Sequence, residues 1–160
     1  MASDAALPIT VFGKAKLDEE LKRLMFTERP NVVKAIEEAR AHGDISENAE
    51  YEAAKERQGL IEMRIGDIQG QLAGAEIVDP ATIKSTKIVF GATVVLFDVD
   101  TEEEVTYQIV GVDEADVKLG KISIMSPIAR ALIGKTTGDL VQVKSPKGEK
   151  EFEVKKFSFK

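Results

Sequence analysis

The stretch ARAHGDISENAEY, residues 39–51, interrupts two segments of helical patterning, one on each side of it. Gly43 stands just after a periodic segment, a position at which glycine commonly ends a helix. Oxygen atoms of Asp44, Ser46 and Asn48 can then cap the N–H groups that open the next helix. We therefore expect this stretch to be the tip of a long helical hairpin, with the second helix starting near residue 45.

The two carboxylates of this tip allow two interpretations. Asp44 and Glu47 have the spacing of a capping box, with the aspartate at the cap. Alternatively, carboxylates on an exposed tip can bind a hard ion such as Mg²⁺, which often takes one or two protein carboxylates and completes its shell elsewhere. Two carboxylates do not close a metal site, so the second interpretation predicts a tip that completes another molecule's active site. The spacing alone leaves both interpretations open.

The composition indicates a soluble protein without cysteine chemistry. The 160 residues are 43% hydrophobic and include no cysteine, which excludes disulfides and thiolate metal sites. No apolar run approaches the ~18 residues of a membrane span, and the start of the chain lacks the features of a signal peptide, so we expect a cytoplasmic location. All of the net charge of −6 lies in residues 1–80, which hold 16 acidic and 10 basic residues. This acidic half argues against a general nucleic-acid-binding protein.

Heptad-like spacing of apolar residues predicts the two helices of the hairpin. Thr10 is a plausible cap for the first helix, whose pattern slips around Pro30, and we expect a bend at residues 26–30. Residues 1–9 lack any period and are expected to be a loose tail, whereas Asp79-Pro80 should end the second helix. The predicted contact positions are Leu17, Leu21, Leu24, Val32, Val33, Ala35, Ile36, Ala39, Ala54, Ile61, Ile65, Ile68, Leu72 and Ala75.

After a polar linker at residues 81–87, the apolar period changes from 3.6 to 2. Five β-branched, alternating runs predict an antiparallel sheet. Between the third and fourth runs, a Ser126 cap, Pro127 at the first helical position and a closing Gly134 predict one short helix. The runs are residues 93–97, 104–110, 121–124, 140–144 and 151–154.

The predicted fold class is therefore α+β, in two domains. Residues 1–80 should form an N-terminal antiparallel coiled-coil hairpin with its acidic tip at 43–48. Residues 81–160 should form a C-terminal antiparallel sheet domain with a short helix.

Some residues near the tip are suited to contacting nucleic acid, and the chain lacks the motifs of an enzyme that works alone. The chain has no phosphate-binding loop, and its single histidine, His42, suits a helix C-terminus better than acid–base catalysis. Arg40 and Lys55 can contact phosphate groups or be ordinary surface charges. Tyr51 can stack on a base or cover the contact between the helices.

The tip and the second half of the chain resemble the Gre family of bacterial transcript cleavage factors, in particular its GreA type. At the tip the similarity lies in ARAHGDISENAEY at residues 39–51, followed by Ala53, Ala54, Lys55 and Gln58. In the second half it lies in FGAT at 90–93, EVTYQIVG at 104–111 and SPIARALIGK at 126–135. The acidic helices and the modest basic patch favour the GreA type over the more basic GreB type.

This resemblance implies a coiled coil that enters the secondary channel of bacterial RNA polymerase and an FKBP-like domain that docks on the channel rim. Asp44 and Glu47 match the acidic tip residues that help to hold a second Mg²⁺ in the polymerase active site, so that the polymerase cleaves the 3′ end of backtracked RNA. The protein would then not be an enzyme by itself and would bind no cofactor tightly.

Further roles are expected for residues around the tip and in the sheet domain. Gly43, Ser46 and Asn48 should shape the tip, and the start of the short helix, Ser126-Pro127, should belong to the docking surface. The residues expected to contact RNA are Arg40, Tyr51 and Lys55. We expect a monomer that binds RNA polymerase and the RNA 3′ end and does not contact membranes.

Two other functions compete with transcript cleavage. A protein of the same architecture could modulate RNA polymerase without cleavage, although the intact pair of Asp44 and Glu47 argues against this. A peptidyl-prolyl isomerase would share the implied FKBP-like fold, but a fold does not carry a function. The aromatic residues available for a proline pocket are Phe90, Phe97, Tyr107, Phe152, Phe157 and Phe159.

Overall fold

A computed structural model describes residues 7–43 and 48–160. Contacts divide the chain into a helical unit, Lys14–Gly74, and a sheet unit that combines residues 7–13 with residues 75–160. The sequence placed a single boundary between residues 80 and 81. The structure instead groups both flanks of the hairpin with the sheet, because these flanks pair with each other and with the sheet unit.

The described residues of the helical unit form three α-helices and one π-helical segment. Helix α1 (Val11–Arg23) continues through a π-helical segment (Leu24–Glu28) into α2 (Arg29–Ala41), and α3 (Ala49–Gly74) returns. The N–H of Arg29 donates to the carbonyl of Leu24, five residues earlier. Pro30 follows in the first turn of α2 and has no N–H to donate to the preceding π-helical turn. The helical irregularity therefore lies at the position where the sequence predicted a bend.

Apolar side chains along the hairpin are buried largely as the spacing predicted. Val33, which the sequence placed at the helix contact, is instead 41% exposed because its neighbour Val32 faces inward and adjacent helical positions point about 100° apart. The buried contact residues of the unit are Leu17, Leu24, Val32, Ile36, Ala39, Ala54, Ile61, Ile65 and Ile68.

Charged pairs flank this apolar contact. Arg29 forms a two-pronged contact with Glu62, with both N···O distances 2.8 Å. Arg64 makes the same kind of contact with Glu20, at 2.7 and 2.8 Å. Hydrogen bonding to these guanidinium groups lowers the pKa of Glu20 and of Glu62 below the ordinary glutamate value. The pairs therefore favour the packed hairpin while the carboxylates are ionised.

The sheet unit is built on five strands in the spatial order β5-β4-β3-β7-β6. The sequence predicted an antiparallel sheet, but β5 lies parallel to β4. Two short 3₁₀ turns between the strands bring the chain back beside Gln108, and β5 then runs in the same direction as the last three residues of β4. The strands are β3 (Ala92–Asp98), β4 (Glu103–Val110), β5 (Lys121–Ser123), β6 (Leu140–Ser145) and β7 (Gly148–Phe159).

The core of the sheet unit lies on one face of these strands. Alternate residues of β3 are buried, as the period of two predicted. The short helix α4 (Pro127–Leu132) packs on this face and contributes the buried side chains of Ala129 and Leu132. Other core residues are Ile88, Val94, Leu96, Ile109, Val141, Phe152 and Val154.

Two short strands correct the sequence prediction at the flanks of the hairpin. Strand β1 (Leu7–Thr10) pairs in parallel with β2 (Ala75–Val78). Residues 7–9 are therefore not a loose tail, and the helix ends at Gly74 rather than at Asp79. Pairing with a strand more than 60 positions away overrides the helical period of residues 75–78.

Glu114 binds this N-terminal strand to the rest of the sheet unit. Its carboxylate accepts hydrogen bonds from the backbone N–H of Thr10 and of Gly111, both at 2.9 Å, and from the Thr10 hydroxyl. Thr10 also accepts from the N–H of Gly13 at 3.1 Å, which confirms it as the cap of α1. A Cβ on Gly13 would clash with the Glu114 side chain, so a larger residue there would displace this carboxylate.

Candidate functional site

The first helix of the hairpin ends as the sequence predicted. Helix α2 stops at Ala41, and the N–H of His42 donates to the carbonyl of Ala39 at 3.2 Å. Gly43 follows with a φ of +115°, in the region that favours glycine, and its N–H donates to the carbonyl of Arg40 at 3.3 Å. The glycine therefore ends the helix with a positive φ angle.

Asn48 begins the second helix. Its Oδ1 accepts a hydrogen bond from the backbone N–H of Tyr51 at 3.0 Å, which makes it the N-cap of α3. Its Nδ2 donates to the carbonyl of Ala39 at 2.6 Å, in the last turn of α2. Helix α3 thus starts at Ala49, and one amide side chain contacts both helices. The helix start that the sequence predicted near residue 45 lies outside the described residues.

Two more contacts join the helix ends. The guanidinium carbon of Arg40 lies 5.8 Å from the centre of the Tyr51 ring, within the range of a cation–π interaction. His42 Nδ1 lies 2.9 Å from an oxygen of Glu50. Both side chains of this second pair are more than 60% exposed, so the contact contributes little to stability.

The three predicted RNA-contacting residues are only partly brought together. Arg40 and Tyr51 are in direct contact, whereas Lys55 lies one helical turn farther along α3. The Lys55 ammonium group is exposed and donates to Gln58 Oε1 at 3.2 Å. The end of the hairpin therefore carries a guanidinium, an ammonium and an aromatic ring on described residues.

The predicted catalytic and metal-binding residues, Asp44 and Glu47, lie outside the described residues, as does the predicted tip residue Ser46. Across residues 7–43 and 48–160, no group of three or more His, Cys, Asp or Glu side chains is placed to hold a metal ion. A metal site at the tip stays a prediction that rests on two carboxylates.

The predicted docking residues serve a structural purpose in the sheet unit. Ser126 Oγ donates to the carbonyl of Ser123 at 2.7 Å and accepts from the N–H of Ala129 at 3.3 Å, which confirms Ser126 as the cap of α4. Pro127 occupies the start of α4 and is exposed. A docking role for the two residues stays a prediction.

Glu50 and Glu114 make contacts that the sequence did not predict. Glu50 was treated only as a charge suited to the start of a helix, and Glu114 lies 104 positions from its partner Thr10. Spacing within the sequence gives no indication of a partner at that separation.

Within the described parts of the chain, no helix is long and apolar enough to cross a membrane.

Comparison with known proteins assigns the chain to a family. A model described as "Transcription elongation factor, N-terminal" matches residues 7–77, and one described as "Transcription elongation factor, GreA/GreB, C-term" matches residues 83–159. The chain belongs to the GreA/GreB family of transcription elongation factors. Residues 78–82, at the end of β2, separate the two matches.

Curated relatives agree with this family over nearly the whole chain. The transcription elongation factor GreA of Trichlorobacter lovleyi is 58% identical over 148 residues, covering 92% of this chain and 94% of the relative. That of Phenylobacterium zucineum is 57% identical over 150 residues, covering 94% and 96%. Among solved structures, GreA factor homolog 1 of Thermus thermophilus is 29% identical, covering 95% of this chain and 98% of its own, with a TM-score of 0.44.

Proposed function

We propose that the chain stimulates the RNA cleavage activity of bacterial RNA polymerase. In this proposal the hairpin enters the secondary channel, and Asp44 and Glu47 complete a Mg²⁺ site within the polymerase active site. The sheet unit docks at the channel rim, with the Ser126-Pro127 start of α4 on the docking surface. Family membership supports action on elongating polymerase, because the relatives are named transcription elongation factors. The polymerase itself carries out the hydrolysis of backtracked RNA.

The construction of the hairpin end is the observation that carries this proposal. Residues 44–47 lie between two helix ends that are bonded to each other through Asn48 and Ala39. The Arg40 guanidinium and the Tyr51 ring make a second contact between the same helices. Four residues that include two carboxylates are therefore flanked by helix ends whose separation is fixed. Such an end is suited to presenting carboxylates to another molecule.

The capping alternative for Asp44 and Glu47 loses support from the described residues. Helix α3 is capped at Asn48, whose side chain satisfies the N–H of Tyr51. A capping box at Asp44 and Glu47 is therefore not needed to begin α3. Because Asn48 already caps α3, Asp44 and Glu47 are available to bind an ion.

The chemistry divides between the two partners. When bound, Mg²⁺ lowers the pKa of water and stabilises charge that develops on the phosphate. Asp44 and Glu47 supply negative charge that holds such an ion in position. Arg40 and Lys55 supply positive charge near the same end of the hairpin, suited to the phosphates of the RNA 3′ end. The Arg40 guanidinium lies over the Tyr51 ring, 5.8 Å from its centre.

Charge-neutral substitutions at the tip test the proposal. We expect Asp44→Asn and Glu47→Gln to lower the rate of RNA cleavage in stalled elongation complexes about 10- to 100-fold at low Mg²⁺, the range typical of residues that support a metal site. Melting temperature and competition for polymerase should stay close to those of the unchanged chain. Raising the Mg²⁺ concentration should restore part of the activity, because mass action compensates for weaker ion binding.

Glu52→Gln is the matched control, since Glu52 is an exposed carboxylate in the first turn of α3. It removes the same charge near the same helix terminus and should cleave normally. Full cleavage by Asp44→Asn at low Mg²⁺ would exclude an ion-binding role. A chain that binds polymerase and induces no cleavage at all would instead be a non-cleaving regulator.

A further inference from the structure

Asn48 uses both ends of its side-chain amide, and each end reaches a different helix. The acceptor, Oδ1, receives the N–H of Tyr51 in α3 at 3.0 Å. The donor, Nδ2, reaches the carbonyl of Ala39 in α2 at 2.6 Å. An N-cap requires only the acceptor. The second hydrogen bond is therefore an addition to the cap, and it joins the end of one helix to the start of the other.

The partner on α2 is a group that the helix itself leaves incompletely satisfied. The last four carbonyls of a helix have no i+4 N–H partner, and Ala39 is within the last turn of α2. Its carbonyl accepts from the N–H of His42 at 3.2 Å and from Asn48 at 2.6 Å. Asn48 thus satisfies free groups of both helices at once. The Ala39 residue is only 2% exposed, which shields the contact from competing water.

The other contacts between the helix ends are less able to fix their separation. His42 and Glu50 are largely exposed, so salt and water weaken their attraction. The Arg40–Tyr51 contact acts through a ring face at 5.8 Å and tolerates sliding of the guanidinium. Among the three contacts that described residues make here, the direct hydrogen bond of 2.6 Å from the short Asn48 side chain is the most restrictive.

We infer that Asn48 is a positioning residue: its amide holds the end of α2 and the start of α3 in one fixed relation, and cleavage depends on that relation. The inference rests on the proposed function, in which Asp44 and Glu47 act from the segment that these two helix ends flank. It assigns to Asn48 a role separate from capping. Asn provides an acceptor and a donor on one short side chain, a combination that Asp, Ser and Thr cannot supply in the same geometry.

Two substitutions separate the cap from the contact to Ala39. Asn48→Asp and Asn48→Ser each keep an oxygen that can accept from Tyr51, and both residues are good N-caps. Aspartate has no donor for the Ala39 carbonyl, and the serine hydroxyl is too short to reach both partners. Asn31, an exposed residue of α2, provides matched controls through Asn31→Asp and Asn31→Ser. These controls make the same chemical changes away from the hairpin end.

The experiment measures amide hydrogen exchange and cleavage kinetics on the full-length chain. In both Asn48 variants we expect the amides of His42 and Gly43 to exchange about 5- to 10-fold faster, because one hydrogen bond that holds the end of α2 is lost. The Tyr51 amide should keep its protection. The maximal rate of RNA cleavage should fall at least about tenfold, as expected for a small misplacement of reacting groups. The factor concentration that gives half of the maximal rate should be unchanged.

Each other result decides against part of the inference. Unchanged exchange at His42 and Gly43 would show that Asn48 does not hold the end of α2. Faster exchange together with a normal maximal rate would overturn the positioning role. If the unsubstituted chain stimulates no cleavage, the proposed function fails and the positioning role fails with it. The exchange measurement would still decide whether Asn48 joins the two helices.

Discussion

Replacing a glycine by alanine should change the free energy of unfolding in opposite directions at the hairpin end and within α3. Gly43 has a φ of +115°, which an L side chain rarely adopts, whereas Gly66 is helical and a Cβ there would meet no atom within 4 Å. We expect Gly43→Ala to lower the free energy of unfolding by about 1 kcal/mol or more. Gly66→Ala should raise it by about 0.5–1 kcal/mol, because alanine restricts the unfolded chain and favours helix.

Denaturant unfolding followed by helical circular dichroism measures both effects. Each variant is the control for the other, since the chemical change is the same methyl group. Stabilisation by Gly43→Ala would contradict a positive φ at the end of α2. The sequence predicted that Gly43 ends the helix, because a glycine just after a helical segment commonly adopts the positive φ angle that stops it.

The choice of the cap shows the limit of residue-scale prediction. Asp44, Ser46 and Asn48 were all suitable caps from the sequence, and among the described residues Asn48 is the cap of α3. Asn48 caps α3 and also donates a hydrogen bond to the carbonyl of Ala39. That second partner belongs to the other helix and is not visible in local sequence.

At the scale of elements, ion pairs make the stability of the hairpin depend on pH. The pKa of Glu20 is lowered chiefly by its hydrogen bond to Arg64, and that of Glu62 chiefly by its hydrogen bond to Arg29. A carboxyl whose pKa is lower in the folded state stabilises the fold above its unfolded pKa, near 4.5, and loses this contribution as the pH falls through the folded pKa. We expect the helical melting temperature to fall as the pH decreases from about 5 to about 3.

Glu20→Gln tests this assignment, because it removes one titrating group while keeping its shape. Its melting temperature should be lower than that of the unchanged chain at pH 6, and the two values should converge at low pH. Glu19→Gln, at an exposed neighbouring position, should follow the unchanged chain throughout. Parallel curves for Glu20→Gln and the unchanged chain would show that the pair with Arg64 does not stabilise the hairpin.

At the scale of the whole molecule, Glu114 connects the N-terminal strand to the sheet unit. Its carboxylate accepts from Thr10 and Gly111, and Gln at this position would place an N–H₂ group against one of those donors. We expect Glu114→Gln to lower the free energy of unfolding by about 1–3 kcal/mol, the cost of leaving partly buried donors unsatisfied. Chemical denaturation of the full-length chain measures the change.

Glu104→Gln, at an exposed position of β4, is the control and should change stability by less than about 0.5 kcal/mol. Equal stabilities for the two variants would contradict a structural role for Glu114.

The same contacts affect the design of fragments. A fragment of residues 81–160 lacks β1, β2 and the Thr10 partner of Glu114, so the predicted boundary at residue 80 removes part of the sheet unit.

The sequence by itself determined the elements with strong local patterns. The hairpin helices, the alternating strands and the Ser126 cap of α4 each follow from periodicity and cap chemistry within a few positions of the chain. The motif at residues 39–51 also indicated the family to which the chain belongs. Local spacing identified the carboxylates of the tip as candidates but left open whether they cap a helix or bind an ion.

Tertiary structure alone decided the contacts between distant parts of the chain. It pairs β1 with β2, places β5 parallel to β4, joins Thr10 to Glu114 across 104 positions, and links Asn48 to Ala39. Short strands carry too little pattern to specify their partners, and a hydrogen-bonding side chain can serve many neighbours. The partner is selected by the packing of whole elements, which positions donors and acceptors that the order of residues keeps apart.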